Sequence, residues 1–184
     1  MKVKEIDPKD KDIYNTLNQF AYSHDDLAGA IENAEKFISI NPKEKNGYII
    51  LAQALIPSGD SKKAIEVLNK GISLDPLNLT SNTLGMMSRA HLVLGDSDAA
   101  ITWSLKSVQV SSNLSAWMNQ AVAYTIKGES EKAAAAVAEV LKLNPKFKLS
   151  DFGSGKPMSA SPPAYKEWYE KKFLPAYRKT GLPE

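Results

Sequence analysis

Two short segments of this chain share letters with nucleotide-binding motifs, and neither keeps the spacing that the chemistry requires. Residues 153–156, Gly-Ser-Gly-Lys, suggest a phosphate-binding loop, but Ser150 stands at its first glycine and Pro157 at its Ser/Thr. Residues 151–153, Asp-Phe-Gly, spell the magnesium-binding tripeptide of kinases without any other kinase element. We therefore predict neither a nucleotide site nor a bound cofactor.

The remaining reactive side chains do not form a catalytic set either. His24 and His91 are the only histidines, and neither has a nucleophile or a metal-ligand partner at a useful spacing. The chain contains no cysteine, which excludes disulfides and thiolate metal sites. The sequence thus predicts a protein that is not an enzyme and holds no metal.

The composition and charge of the chain argue against two classes of binding partner, nucleic acid and membrane. The 184 residues are 43% hydrophobic and 24% charged, with a net charge of +2, which is too small to indicate nucleic acid binding. The amino terminus has no apolar stretch of the signal-peptide kind, and no apolar run is long enough to span a membrane. These features predict a cytoplasmic protein with no membrane partner.

The elements that would position any site are organised as repeats. Pro42 and Pro76 each follow an Asn or Asp that closes a helical pattern, and they are 34 residues apart. Pro145 closes a third such pattern after two further repeats and one extra residue. A period of this length predicts stacked helix–turn–helix units.

The second unit shows the pattern most clearly. Its first helix is predicted from four residues on one face, namely Tyr48, Leu51, Ala52 and Leu55. Residues 58–60, Ser-Gly-Asp, break this helix, and Asp60 or Ser61 can cap the next one. The second helix repeats the spacing with Ala64, Ile65, Leu68, Gly71 and Ile72.

The other units follow this pattern with departures. The fourth repeats it with Trp117, Ala121, Tyr124, Gly128 and Pro145. The third has two inserted residues and lacks its closing proline, and the first has Asp25-Asp26 in place of the turn glycine.

These residues resemble the tetratricopeptide repeat family, which has an aromatic, Leu, a small residue and Tyr on one helix, then Ala, an aromatic and Ala, then Pro. The resemblance implies an all-α, tetratricopeptide-type α-solenoid of about four helix–turn–helix units plus a C-terminal capping helix. We expect the repeat domain to span residues 1–145, with units at about 11–44, 45–78, 79–113 and 114–147.

The remaining residues predict a connector and a final helix. Residues 146–162 are polar and rich in Ser, Gly and Pro, and residues 163–184 carry an aromatic amphipathic helix that Pro175 should kink. Its aromatic stripe consists of Tyr165, Trp168, Tyr169, Phe173 and Tyr177. Three roles are open for the stripe: to cap the solenoid, to fill its groove, or to dock on a partner or a second copy in a homodimer.

The resemblance also implies a groove lined by the first helices of the units. The corresponding positions are Asn15, Gln19, Ile49, Gln53, Ile56, Met86, Arg89, Met118, Asn119 and Val122. The basic clamp by which one subfamily holds chaperone tails is absent, because Asn15, Ile50, Asn82 and Met86 stand at its positions. We expect a protein-interaction scaffold that binds a peptide or helix, with Arg89 receiving a carboxylate or the C-terminal end of a docked helix.

The sequence of the carboxyl-terminal tail suggests an alternative function. Residues 145–147 and 177–184 resemble the carboxyl terminus of bacterial adenylate/guanylate cyclases that carry tetratricopeptide repeats. That resemblance implies a regulatory or dimerising module of a bacterial nucleotide-cyclase system, as a fragment or a stand-alone relative, without catalytic residues of its own.

Overall fold

The computed structural model describes residues 11–148 and 157–182, and the regular structure within these ranges is entirely helical. The first eight helices form four pairs. Their bounds are α1 Lys11–Ser23, α2 Leu27–Ile40, α3 Lys45–Leu55, α4 Ser61–Leu74, α5 Ser81–Val93, α6 Ser97–Val110, α7 Leu114–Lys127 and α8 Ser130–Leu143. The predicted all-α solenoid of four helical pairs followed by a C-terminal helix is confirmed.

The turn inside each unit is set by local chemistry. Gly59, Gly95 and Gly128 have φ angles of 83°, 82° and 78°, a left-handed conformation that glycine adopts without a steric penalty. In the first unit Asp25 takes the same place with a φ of 64°. Asp26 then caps α2, because its carboxylate accepts the backbone N–H of Gly29 at 2.9 Å. The unit without a turn glycine therefore keeps the same turn.

Small residues let the helices of a unit approach closely. Ala52 and Ala64, on α3 and α4, are both fully buried. A Cβ on Gly71 would lie 3.2 Å from the Cβ of Tyr48, so glycine lets α4 pass closely over the start of α3. Each pair also packs on the next, and the first helices α5 and α7 contact each other directly.

The carboxyl-terminal helix has three parts, which we call together the tail helix. It consists of α9 (Pro163–Trp168), a π-helical turn (Tyr169–Phe173) and α10 (Leu174–Arg178). The Leu174 N–H bonds to the Tyr169 carbonyl five residues back, and Pro175, which has no N–H, lies in the first turn of α10. The predicted disturbance at Pro175 is thus a widened turn just before the proline.

The π turn brings the aromatic side chains to one face. At about 100° per residue, Phe173 would lie roughly 80° around an ideal α-helix from Tyr165. A π turn accommodates about one extra residue, which removes most of this offset. Tyr165, Phe173 and Tyr177 are accordingly all buried.

Residues 149–156 lie outside the described ranges, so the two motif look-alikes and most of the predicted connector are not placed. None of the helices in the described ranges combines the length and the hydrophobicity needed to cross a bilayer.

Candidate functional site

We call the surface formed by α1, α3, α5 and α7 the groove, and the tail helix crosses it. Tyr165 belongs to the cluster of buried side chains that contains Ile56 and Ala90. Phe173 and Tyr177 belong to the cluster of the third and fourth units. The tail helix therefore fills the part of the groove made by the carboxyl-terminal halves of α3, α5 and α7.

Arg89 lies where the tail helix meets the groove. Its guanidinium carbon is 4.5 Å from the ring centroid of Phe173, a cation–π contact. Its Nε donates a hydrogen bond to Asn119 Oδ1 at 3.1 Å, and Asn119 Nδ2 donates to the Gly85 carbonyl at 3.1 Å. Arg89 is only 4% exposed, so its charge is held by aromatic faces and amides.

Burial dominates the electrostatics here. Desolvation lowers the pKa of Arg89, opposed by the neighbouring tyrosines of the tail helix and by Tyr22. Burial likewise raises the pKa of Tyr165 to about 12, an effect opposed by the Arg89 charge. The raised pKa keeps the Tyr165 phenol neutral at neutral pH.

The tail reaches the groove at the first and second units. The backbone N–H of Ser159 donates to the Asp25 carboxylate at 2.6 Å, and the Ser159 contact lowers the pKa of that carboxyl group. A Cβ built on Gly59 would lie 3.1 Å from Cγ of Pro162. Asp25 and Gly59 are the left-handed residues of their turns, so the tail segment before α9 packs against the turns of the first two units.

The tail helix leaves part of the groove open, and we call this part the open cavity. It has a volume of about 580 Å³. Side-chain amides and hydroxyls provide much of its lining, with Arg89 where the cavity meets the tail helix. The lining residues are Tyr22, Gln53, Ile56, Pro57, Ser81, Asn82, Gly85, Met86, Arg89, Asn113, Ser115 and Asn119.

Half of the predicted groove positions come together at this cavity, namely Gln53, Ile56, Met86, Arg89 and Asn119. Met118 and Val122 are instead fully buried, in the cluster that contains Phe173 and Tyr177. Because the tail helix takes this part of the groove, these two side chains pack within the chain.

The remaining predicted positions lie elsewhere. Ile49 lies in a separate small cleft with Ile72 and Asp75, beside the connection between α4 and α5. Gln19 is exposed on α1, and the side chain of Asn15 is outside the described part of the chain. The predicted positions that line the cavity therefore belong to the second, third and fourth units, and the first unit contributes Tyr22 instead.

Sequence reasoning missed several lining residues that precede or begin the first helices. Ser81 and Asn82 lie in the first turn of α5, Asn113 caps α7 by accepting the Ala116 N–H at 2.9 Å, and Ser115 follows it. Asn82 stands at a position of the absent basic clamp, so the resemblance already indicated that this side chain could line the groove. Nothing local to residues 113–115 indicated that they face a cavity.

The histidines have ordinary surroundings. His91 Nδ1 lies 3.5 Å from the carboxylate of Asp96, and His24 Nδ1 lies 2.9 Å from the Phe20 carbonyl. Within the described ranges no three His, Cys, Asp or Glu side chains are grouped as a metal site would need.

Comparison with known proteins supports this architecture. Residues 46–76 and 114–147 match the tetratricopeptide repeat family. These are the second and fourth units, whose sequences follow the repeat pattern most closely. No curated protein matches the chain.

Solved structures share the fold across most of the chain. A thermophilic TPR protein of Thermus thermophilus is 20% identical, with 76% of this chain and 77% of that one covered and a TM-score of 0.66. MamA from Desulfovibrio magneticus RS-1 is 14% identical, with 93% and 91% covered and a TM-score of 0.66. YrrB, described as a TPR protein with an unusual peptide-binding site, is 14% identical, with 94% and 85% covered and a TM-score of 0.62.

Proposed function

We propose that this chain, which has the fold of a tetratricopeptide-type solenoid, is a non-enzymatic scaffold that binds an extended peptide of a partner protein. The fold is typical of proteins that mediate protein–protein interaction. The proposed binding site is the open cavity, and the proposed setting is the cytoplasm.

The observation that carries this proposal is an amide-lined cavity kept open beside the tail helix. A volume of about 580 Å³ lies within the usual range for ligand sites. Gln53 and Asn82 each offer a side-chain donor and acceptor, which is what the backbone of an extended peptide requires. A docked helix would need the part of the groove that the tail helix occupies, so the proposal is narrowed to an extended segment.

Arg89 gives the cavity a charge preference. Arg89 lines the cavity, and its guanidinium stacks on Phe173. A cation held in partly desolvated surroundings attracts a carboxylate more strongly than an exposed one does. We propose that the bound peptide places an acidic side chain or its own carboxyl terminus towards Arg89.

The test is selection of a random peptide display library against the full chain, followed by fluorescence anisotropy with the selected peptides. Gln53→Arg/Asn82→Arg obstructs the cavity with two exposed side chains that do not belong to the buried clusters. This variant should weaken peptide binding by more than roughly tenfold, which corresponds to about 1.4 kcal/mol.

A matched control is available on the second helices. Asn69 on α4 and Gln109 on α6 are exposed and do not line the cavity, so Asn69→Arg/Gln109→Arg makes the same chemical change elsewhere. The control should bind as the wild type does. Failure to select any peptide, or equal binding by both variants, would show that the cavity is not a peptide site.

The cyclase alternative remains a prediction. Its residues at 177–182 are described, and Tyr177 packs in the buried cluster of the groove. No contact in the described ranges favours a regulatory role in a cyclase system over the scaffold role.

A further inference from the structure

A second recess lies on the other side of the tail helix, and we call it the lysine cleft. Its volume is about 490 Å³. One wall is the end of α5 and the turn that follows, with the end of α7 beside it, and the other wall is the tail helix. It shares no lining residue with the open cavity.

Apolar side chains in this cleft remain in contact with solvent. Leu94 is 44% exposed and Ile126 is 45% exposed, although both adjoin the buried core. Trp168 and Pro175 contribute apolar surface from the tail helix. Burial of this surface by a ligand would be favourable, because it removes apolar area from water.

The tail-helix side of the cleft is basic. Lys171, Lys172 and Lys179 all line it. Lys171 is paired with Glu167 at 2.7 Å, whereas Lys172 and Lys179 form no ion pair with any described residue. The two latter charges are therefore available to a ligand.

Carboxylates near the opposite wall are already engaged. Asp98 and Glu129 both bind Lys127, and Glu129 also binds Lys132 at 2.6 Å. Asp96 accepts the Ala99 N–H at the start of α6. The cleft thus combines exposed apolar surface with cations that these carboxylates do not neutralise.

We infer that the lysine cleft binds an acidic peptide segment of a partner protein that carries an aliphatic or aromatic anchor. The charge of Lys172 and Lys179 complements carboxylates, and the recess between Leu94, Ile126 and Trp168 receives the anchor. A bilayer surface fits less well because the apolar side chains line a recess, whereas membrane binding needs an apolar face that protrudes. This site is independent of the open cavity.

The test measures binding of a fluorescent amphipathic peptide of glutamate and leucine to the full chain by anisotropy. Lys172→Glu/Lys179→Glu should weaken binding by roughly tenfold, because two attractive rim charges become repulsive. Lys62→Glu/Lys70→Glu makes the same change in net charge at exposed positions of α4 and should shift binding by less than about twofold.

A second pair of variants tests the apolar contribution to peptide binding. Ile126→Ser should weaken binding several-fold, by removing exposed surface that the anchor would cover. Leu143→Ser changes a side chain of equal exposure, 45%, at the far end of α8 and should have no effect. A glutamate–serine peptide should bind more weakly than the glutamate–leucine peptide.

Four results would overturn the inference. They are no binding of the acidic amphipathic peptide, equal binding by the two lysine variants, binding only to phosphatidylserine vesicles, and loss of peptide binding in Gln53→Arg/Asn82→Arg. The last result would place the peptide in the open cavity. Conversely, an intact lysine-cleft interaction in that variant separates this site from the proposed function.

Discussion

The groove has two parts that differ in lining and in occupancy. Along the carboxyl-terminal halves of α5 and α7 it presents apolar side chains such as Val122, and the tail helix covers them. Along the amino-terminal halves of the same helices it presents Asn82, Asn113 and Ser115, and it is open. Arg89 touches both parts. The difference shows that the tail helix covers the apolar part of the groove and leaves the polar part open.

The largest effect is expected from removing Phe173, a side chain of the tail helix that fills the apolar part of the groove. Phe173→Ala should lower the free energy of unfolding by about 3 to 5 kcal/mol, because Phe173 is fully buried against the groove. Chemical denaturation measures this loss. Leu77→Ala is the control, since Leu77 is 93% exposed, and it should change stability by less than about 0.5 kcal/mol. Equal losses would mean that the tail helix does not stabilise the groove.

A smaller change tests where the tail enters. Gly59→Ala and Gly128→Ala should each cost about 1 to 2 kcal/mol, because both place alanine at a left-handed φ. Only at Gly59 would the new Cβ also press on the tail, at 3.1 Å from Pro162, whereas nothing lies within 4 Å at Gly128. Amide hydrogen exchange should therefore speed up in α9 for Gly59→Ala alone. Faster exchange there in both variants, or in neither, would contradict the described contact.

The smallest expected effect is a pH dependence of tail docking. The Ser159 contact holds the pKa of Asp25 below its ordinary value of 3.8. Asp25 therefore favours the docked tail above that value, and its contribution is lost as the pH falls through the lowered pKa. Amide exchange near Ser159 should accelerate in strongly acidic solution.

Asp25→Asn is the matched control, since asparagine keeps a carbonyl acceptor and tolerates the left-handed turn but does not titrate in this range. It should remove the Asp25 part of the pH dependence. Identical acid profiles for the wild type and Asp25→Asn would show that Asp25 is not the titrating group.

The helical pairs and their turns could be predicted from the sequence, because interactions between residues close in the chain determine them. Repeated Asn/Asp-Pro pairs, turn glycines and faces of small and apolar residues indicated the four helical pairs, because each signal acts within a few residues. The substitution of Asp25-Asp26 for glycine was also recognised. Half of the predicted groove positions line the open cavity for the same reason, since helix spacing determines which side chains share a face.

The rest depends on contacts between distant segments. The aromatic stripe of the tail was compatible with a cap, an occupied groove or a partner, and the packing of Phe173 and Tyr177 with Met118 and Val122 distinguishes these roles. A uniform period of 3.6 residues also cannot anticipate the π turn at residues 169–173. Ile49 lies away from the cavity because the connection between α4 and α5 packs beside it, which the repeat pattern does not encode.

The bond between Ser159 and Asp25 joins residues 134 positions apart in the chain. Repeat arrays ordinarily fold through neighbour contacts, so their end units can fray separately. A tail that crosses from the first unit to the fourth couples those ends, and the whole array should unfold in a more concerted transition. Forming the native state also requires contacts between segments that are far apart in the chain, which solenoids usually lack. Folding should therefore be slower than in an array without the tail. The carboxyl-terminal segment from Ser159 to Arg178 thus links the first unit of the array to the fourth.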